Sequence, residues 1–220
     1  MSSVPSKSRS RLLAIGAVVL VAVAAIIAVI ASQGGGDDES SASSGSAAAT
    51  LSEYRQVKVS GDTLAAFAEG GTDATLGTAA PTLTGQSFDG TAMTIPSSGK
   101  ATLVVFLAHW CPHCQREIPL LSKWYNEGKV PAGVDLIGVA TGTSAARPNY
   151  PPSKWLKKED VTFPVMADND RFIAGDAYGL SSFPYFVLVG PDGTVKLRLS
   201  GEIDPDDLAT RVNQALGAVS

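Results

Sequence analysis

The sequence predicts an α/β domain, a three-layer sandwich with a mixed central sheet, preceded by one transmembrane helix. Three observations carry this. Ala101–Ala108 and Val134–Ala140 are continuous apolar runs rich in β-branched residues, the pattern of strands buried on both faces. Strand-like and helix-like segments alternate through the middle of the chain, which then ends in a hairpin and a closing helix. Leu12–Ala31 holds 20 residues without a charged or strongly polar side chain. At about 1.5 Å per residue such a helix spans roughly 30 Å, the thickness of a bilayer's hydrocarbon core.

Composition narrows the function. The chain has 220 residues and is 45% apolar, enough for one domain with a sizeable core. Its net charge is −4, and the first eleven residues contribute +3 through Lys7, Arg9 and Arg11. The remainder is therefore acidic, and no nucleic-acid partner is expected of a body without a basic footprint. Neither a Walker loop nor a dinucleotide glycine fingerprint occurs.

The N-terminal third reads as topology. Lys7, Arg9 and Arg11 precede the apolar run, while Asp37, Asp38 and Glu39 follow it. The positive-inside rule then leaves residues 1–11 in the cytoplasm, 12–31 in the membrane and the rest exported. A cleaved signal peptide is the alternative, but its apolar region is normally about 7 to 15 residues. Residues 32–50 are Gly, Ser, Ala and acid, a flexible linker with little to bury. Residues 51–75 form an N-terminal extension in which Tyr54, Val57 and Val59 suggest a short strand, and 76–220 form the main domain.

Within that domain, Thr82–Ile95 reads as short strands with turns at Thr84-Gly85-Gln86 and Phe88-Asp89-Gly90. A helix is expected from Pro112 to about Glu127, kinked at Pro119. Further helices are expected at Ser153–Lys158 and Arg171–Tyr178, and a short strand at Phe163–Ala167. Tyr185–Val189 and Thr194–Leu199 flank the turn Pro191-Asp192-Gly193. Asp204 then caps a final helix that opens on Pro205.

The chemistry concentrates in His109-Trp110-Cys111-Pro112-His113-Cys114, between a buried strand and a helix. Cys111 falls at the helix N-terminus, where free backbone amides and the helix dipole favour a thiolate, the nucleophile of disulfide exchange. Cys114 lies one turn on and can reach the Cys111 sulfur to resolve a mixed disulfide. His113 is expected to place positive charge beside Cys111 and make the couple more oxidising. Glu117 is the nearest acid in sequence, either a proton relay for Cys114 or an exposed helix residue; His109 is a second candidate for tuning Cys111 or, preceding the helix, simply an exposed residue. No cofactor is expected beyond the redox-active disulfide Cys111–Cys114. The alternatives are a metal-binding chaperone using the same cysteines and histidines, and a structural disulfide.

Strand, WCPHC and a proline-bearing helix resemble the thioredoxin superfamily. The wider pattern is similar to its membrane-anchored TlpA/ResA-like, or redoxin, branch, over about Leu76–Leu216. Cys111-Pro-His-Cys114-Gln-Arg-Glu117-Ile-Pro119 matches that branch's CxxCxxExP pattern. Phe163-Pro164-Val165 with Asp168, and Tyr178-Gly179 ahead of Ser182-Phe183-Pro184, fit as well. The resemblance implies a thioredoxin-like fold with a cis-proline at Pro184 opposite the cysteines. It also implies a substrate groove shaped by Trp110, Pro112, Phe183 and Pro184.

The implied partners are exported protein thiols or disulfides and a membrane or extracytoplasmic electron partner. Two positions depart from the family. Phe183 stands where Thr or Val is common, and Val105 where thioredoxins carry a buried acid. A thiol peroxidase of the redoxin type is a further alternative; it places Thr or Ser where this chain has Ala108. One charge-assisted contact from His113, worth about 1.5–3 kcal/mol, raises a thioredoxin-like potential of about −270 mV to roughly −205 to −240 mV.

Overall fold

The computed structural model describes residues 53–217. The predicted cytoplasmic segment, transmembrane helix and linker lie outside the described residues. Among the described residues no helix is long and apolar enough to cross a membrane.

Among the described residues, eight strands and four helices alternate as the sequence suggests. In chain order they are β1 (Lys58–Ser60), β2 (Thr82–Gln86), β3 (Ala92–Ile95), β4 (Ala101–Leu107), α1 (Pro112–Asn126) and β5 (Val134–Ala140). There follow α2 (Pro152–Lys158), β6 (Val165–Ala167), α3 (Ile173–Ala177), β7 (Tyr185–Val189), β8 (Val195–Ser200) and α4 (Pro205–Ala215). The central sheet has the order β6-β5-β4-β7-β8. Strands β4, β5 and β6 are parallel, and β7 and β8 add antiparallel. The sheet is therefore mixed. A second antiparallel sheet has the order β1-β2-β3.

Side chains alternate across a strand, so β4 feeds two cores. Leu103, Val105 and Leu107 face one cluster with Ile118 and Leu121 of α1, Trp155 of α2, and Leu208 and Val212 of α4. Val104 and Phe106 face the other, with Leu83, Ile95, Ala177 and Tyr178. Each fully buried Leu or Val contributes about 1.5–3 kcal/mol, which is why β4 tolerates no polar residue except Thr102. That hydroxyl accepts a hydrogen bond from the Ser97 amide at 2.8 Å. The three layers are thus α1, α2 and α4, then the central sheet, then α3 with the small sheet.

The main strands and helices fall within a residue or two of the sequence expectations, and Asp204 caps α4 through the Asp206 and Asp207 amides. One expected turn is corrected. Thr84-Gly85-Gln86 lies inside β2. A Cβ on Gly85 would stand 3.0 Å from the Met166 sulfur, so this glycine permits close packing on β6 rather than a turn. The turn is at Ser87–Gly90, where the Gly90 amide donates to the Ser87 carbonyl.

Segment 53–80 wraps the second core. The Leu64 amide donates to Ala177 O and the Phe67 amide to Gly179 O, both at 2.9 Å. Arg198 on β8 grips Asp73 at 2.6 and 2.7 Å and also donates to Ala65 O. Arg198 holds the Asp73 carboxyl down to about 2 against its burial.

Candidate active site

The site begins where β4 ends. The Cys111 amide donates to Ala108 O at 3.0 Å, turning the chain into α1. Cys111 is the N-cap residue, with extended backbone (ψ 123°), and its carbonyl accepts the helix's first bond from the Gln115 amide. Pro112 takes the first helical position, where its missing N–H is no loss. Both cysteines are free thiols.

Their surroundings differ. Cys111 retains 6% exposure and its thiol points to the Phe183 carbonyl at 3.9 Å. Cys114 is fully buried and its sulfur accepts from the Ala108 amide at 3.5 Å. Burial pushes the Cys114 thiol far up, with the charges of Cys111 and Glu117 adding to the effect. Of the two sulfur-bearing residues only Cys111 keeps any exposure, and the proton of Cys114 is held firmly by burial.

Glu117 sits three residues after Cys114, on the same face of α1. It is 1% exposed, which removes the exposed alternative. One carboxylate oxygen accepts from the Ile203 amide at 3.2 Å, and the other has no protein partner. Burial lifts its pKa to about 7; the Ile203 amide opposes this, and the charges of Glu202 and Asp204 reinforce it. A carboxyl that changes protonation near neutrality beside a buried thiol is suited to move a proton.

The opposite wall is aromatic. The Phe183–Pro184 peptide is cis. Phe183 stands edge-on to Trp110 at 5.8 Å and to Phe172 at 6.2 Å. The Trp110 indole donates to Gly142 O at 2.7 Å, and Arg147 stacks over its ring at 4.9 Å.

His109 is buried rather than exposed. Its Nδ1 donates to Pro148 O at 2.6 Å and its Nε2 accepts from the Ser144 amide at 3.1 Å. This is a neutral ring with both nitrogens engaged, and burial lowers its pKa, opposed by Pro148 and Glu53. It ties loop 141–151 to the site instead of tuning a thiolate. Sequence spacing could not reveal this, because its partners lie more than thirty residues away.

His113 also has an unexpected partner. Its Nδ1 lies 2.6 Å from a carboxylate oxygen of Glu202, on the loop between β8 and α4. Arg116 reaches both oxygens of the same carboxylate, at 2.5 and 3.1 Å. Its guanidinium also lies 2.9 Å from His113 Nδ1. These bonds hold Glu202 at about 2, Arg116 contributing most and His113 next. The His113 Nδ1 is thus engaged by Glu202 rather than turned to the Cys111 sulfur. Neither Arg116 nor Glu202 stood out as a site residue in the sequence.

A concavity of about 300 Å³ lined by Tyr150, Lys154, Trp155 and Lys158 lies apart from the sulfurs. Among the described residues no group of three His, Cys, Asp or Glu is placed to hold a metal ion.

The chain belongs to the AhpC/TSA family, whose family model matches residues 76–198, more than half of it. It is also similar to proteins named thiol-disulfide oxidoreductase ResA. It is 32% identical over 103 residues to the one from Bacillus subtilis (strain 168), covering 47% of this chain and 54% of that protein. With the one from Geobacillus thermodenitrificans (strain NG80-2) it is 27% identical over 110 residues, covering 50% and 60%. The chain thus spans a little over half the length of these relatives.

Solved structures share the fold. StoA from Bacillus subtilis aligns with a TM-score of 0.51 at 22% identity, covering 57% of this chain and 92% of that one. A thiol:disulfide interchange protein of the thioredoxin family from Chlorobium tepidum TLS aligns with 0.52 at 27% identity, covering 64% and 97%. The fold is therefore thioredoxin-like, as the resemblance implied.

Proposed function

We propose that this chain is a thiol–disulfide oxidoreductase acting on exported proteins through Cys111 and Cys114. The observation that carries the reading is the asymmetry of the two thiols. One keeps a trace of exposure at a helix N-terminus against a cis-proline loop. The other is sealed above a carboxyl whose pKa is near 7.

In the reducing direction the Cys111 thiolate attacks a substrate disulfide. A Cys111–substrate disulfide forms and one substrate sulfur leaves as thiolate, to be protonated. Glu117 accepts the Cys114 proton. The Cys114 thiolate then attacks the Cys111 sulfur, forming the Cys111–Cys114 disulfide and releasing the second substrate thiolate. Two electrons pass from the dithiol to the substrate. Run backwards, the same steps oxidise a substrate dithiol, and the couple's potential relative to its partner sets the direction. Phe183, Pro184 and Trp110 form the wall against which an extended substrate segment would lie, with strand-like pairing to backbone beside Pro184.

The apolar run Leu12–Ala31 and its flanking charges support an anchor, with residues 1–11 cytoplasmic, 32–50 a linker, 51–75 an extension and 76–220 the exported domain. The electron partner would then be a membrane or extracytoplasmic protein.

A direct competition tests the reading. The reduced protein is offered an unfolded disulfide-bearing protein or hydrogen peroxide at equal concentration. Two thiols are expected to be lost per chain to the disulfide substrate, at least about 10²-fold faster than to peroxide. No hydroxyl stands at Ala108 to assist a peroxide; its backbone amide is taken by Cys114 and its carbonyl by the Cys111 amide. Faster reaction with peroxide would favour the thiol peroxidase. Stoichiometric retention of zinc or copper without exchange would favour the metal chaperone.

A further inference from the structure

Glu202 is far from the cysteines in sequence but close in space to two basic side chains of the α1 N-terminus. His113 and Arg116 are the second and fifth residues of α1, directly after the Cys111 N-cap. Both are turned onto one carboxylate. His113 Nδ1 cannot accept from Arg116 while it donates to Glu202. Its proton therefore belongs on the 2.6 Å bond to the carboxylate, and Arg116 donates to that same carboxylate. The charge of Arg116 also registers Cys111: its pKa is raised by Glu202 first and, to a smaller degree, by the cysteine.

We infer that Glu202 is a positioning residue that sets the reduction potential of the Cys111–Cys114 couple. It gathers His113 and Arg116 into one hydrogen-bonded cluster and neutralises the Arg116 charge that would otherwise stabilise the Cys111 thiolate. The Pro-His dipeptide alone would make the couple more oxidising, and Glu202 draws it back toward the reducing side. The three side chains are 59%, 57% and 35% exposed, and exposed pairs of this kind contribute little to folding. A role in folding alone would thus leave the potential untouched, and a role in tuning would leave stability nearly untouched. The inference rests on the exchange reading above.

The test is Glu202→Gln in the full chain, equilibrated with reduced and oxidised glutathione. The equilibrium is expected to shift about three- to tenfold toward the dithiol, where tenfold corresponds to about 30 mV. Alkylation of Cys111 at pH 6 is expected to accelerate by a similar factor, with the thermal midpoint nearly unchanged. Glu202→Asp should return both readouts toward wild type. His113→Ala added to Glu202→Gln should shrink the shift, because one of the two side chains released from Glu202 is gone. Unchanged equilibrium and alkylation in Glu202→Gln, or a shift toward the disulfide, would overturn the inference. A wild-type chain that forms no Cys111–Cys114 disulfide with glutathione would instead overturn the exchange reading itself.

Discussion

Glu117→Gln is expected to slow the resolving step about 10²-fold at pH 7, the low end of what a positioned proton-transfer group supplies. The first attack, by Cys111, should stay within about twofold. Cys114 is sealed from solvent and burial holds its proton firmly. Glu117, one turn away with an unpartnered oxygen, is the neighbour able to take it. Glutamine keeps the shape and a group for the Ile203 amide but cannot accept a proton. Stopped-flow measurement of mixed-disulfide decay separates the two steps. Equal slowing of both would mean that Glu117 supports the site's structure rather than its proton transfer.

The same residue leaves a mark on stability. Its folded pKa, about 7, lies above the ordinary 4.5, because burial disfavours the charge. Between pH 4.5 and 7 the native state therefore holds more protons than the unfolded state, and stability falls as pH rises through that window. The contribution lost is on the order of 2 kcal/mol, after allowing for solvent screening. His109 acts the other way, since its lowered pKa removes stability as pH falls below about 6.5. Subtracting the Glu117→Gln profile from wild type over pH 5–8 cancels His109 and isolates Glu117. Cys114 titrates above that range. Parallel profiles would contradict the assignment.

Gly179→Ala is the second large effect. Gly179 has φ +68°, a left-handed conformation that alanine resists. More decisively, a Cβ there would stand 2.3 Å from the Ala65 carbonyl oxygen and 3.0 Å from that of Leu64. These are backbone atoms and cannot rotate away. The wrapping segment would have to lift, breaking the Phe67–Gly179 and Leu64–Ala177 hydrogen bonds. A loss of about 3 kcal/mol or more is expected. The corresponding fall in Tm is roughly 6 to 12 °C. Proteolysis is expected to begin in residues 61–73. A thermal midpoint within about 1 °C of wild type would show that the segment is looser than these contacts imply.

The elements that were legible in sequence are those whose physics is local. The runs of β4 and β5 mark buried strands by composition, Pro112 and Pro205 open helices because a first turn tolerates proline, and Asp204 caps its own neighbours. Cys111 and Cys114 were legible for the same reason, being one helical turn apart. What spacing could not reveal depends on distant partners. Gly85 looks like a turn until Met166 is packed against it from 81 residues away. His109 looks exposed until loop 141–151 folds over it. His113 looks like a thiolate's neighbour until Glu202, 89 residues on, claims its Nδ1. Glu117 had two readings because whether an acid on a helix is buried depends on what the helix faces.

The most direct test of the account is to trap its intermediate. In Cys114→Ser the resolving thiol is gone, so the attack by Cys111 should stop at the mixed disulfide. Incubated with an unfolded disulfide-bearing protein, this variant is expected to form a covalent adduct that reductant releases, joined through Cys111 on peptide mapping. Cys111→Ser should form none, since Cys114 is fully buried beneath the Ala108 amide. An adduct through Cys114 in Cys111→Ser, or none in Cys114→Ser, would contradict the assignment of Cys111 as the attacking thiol.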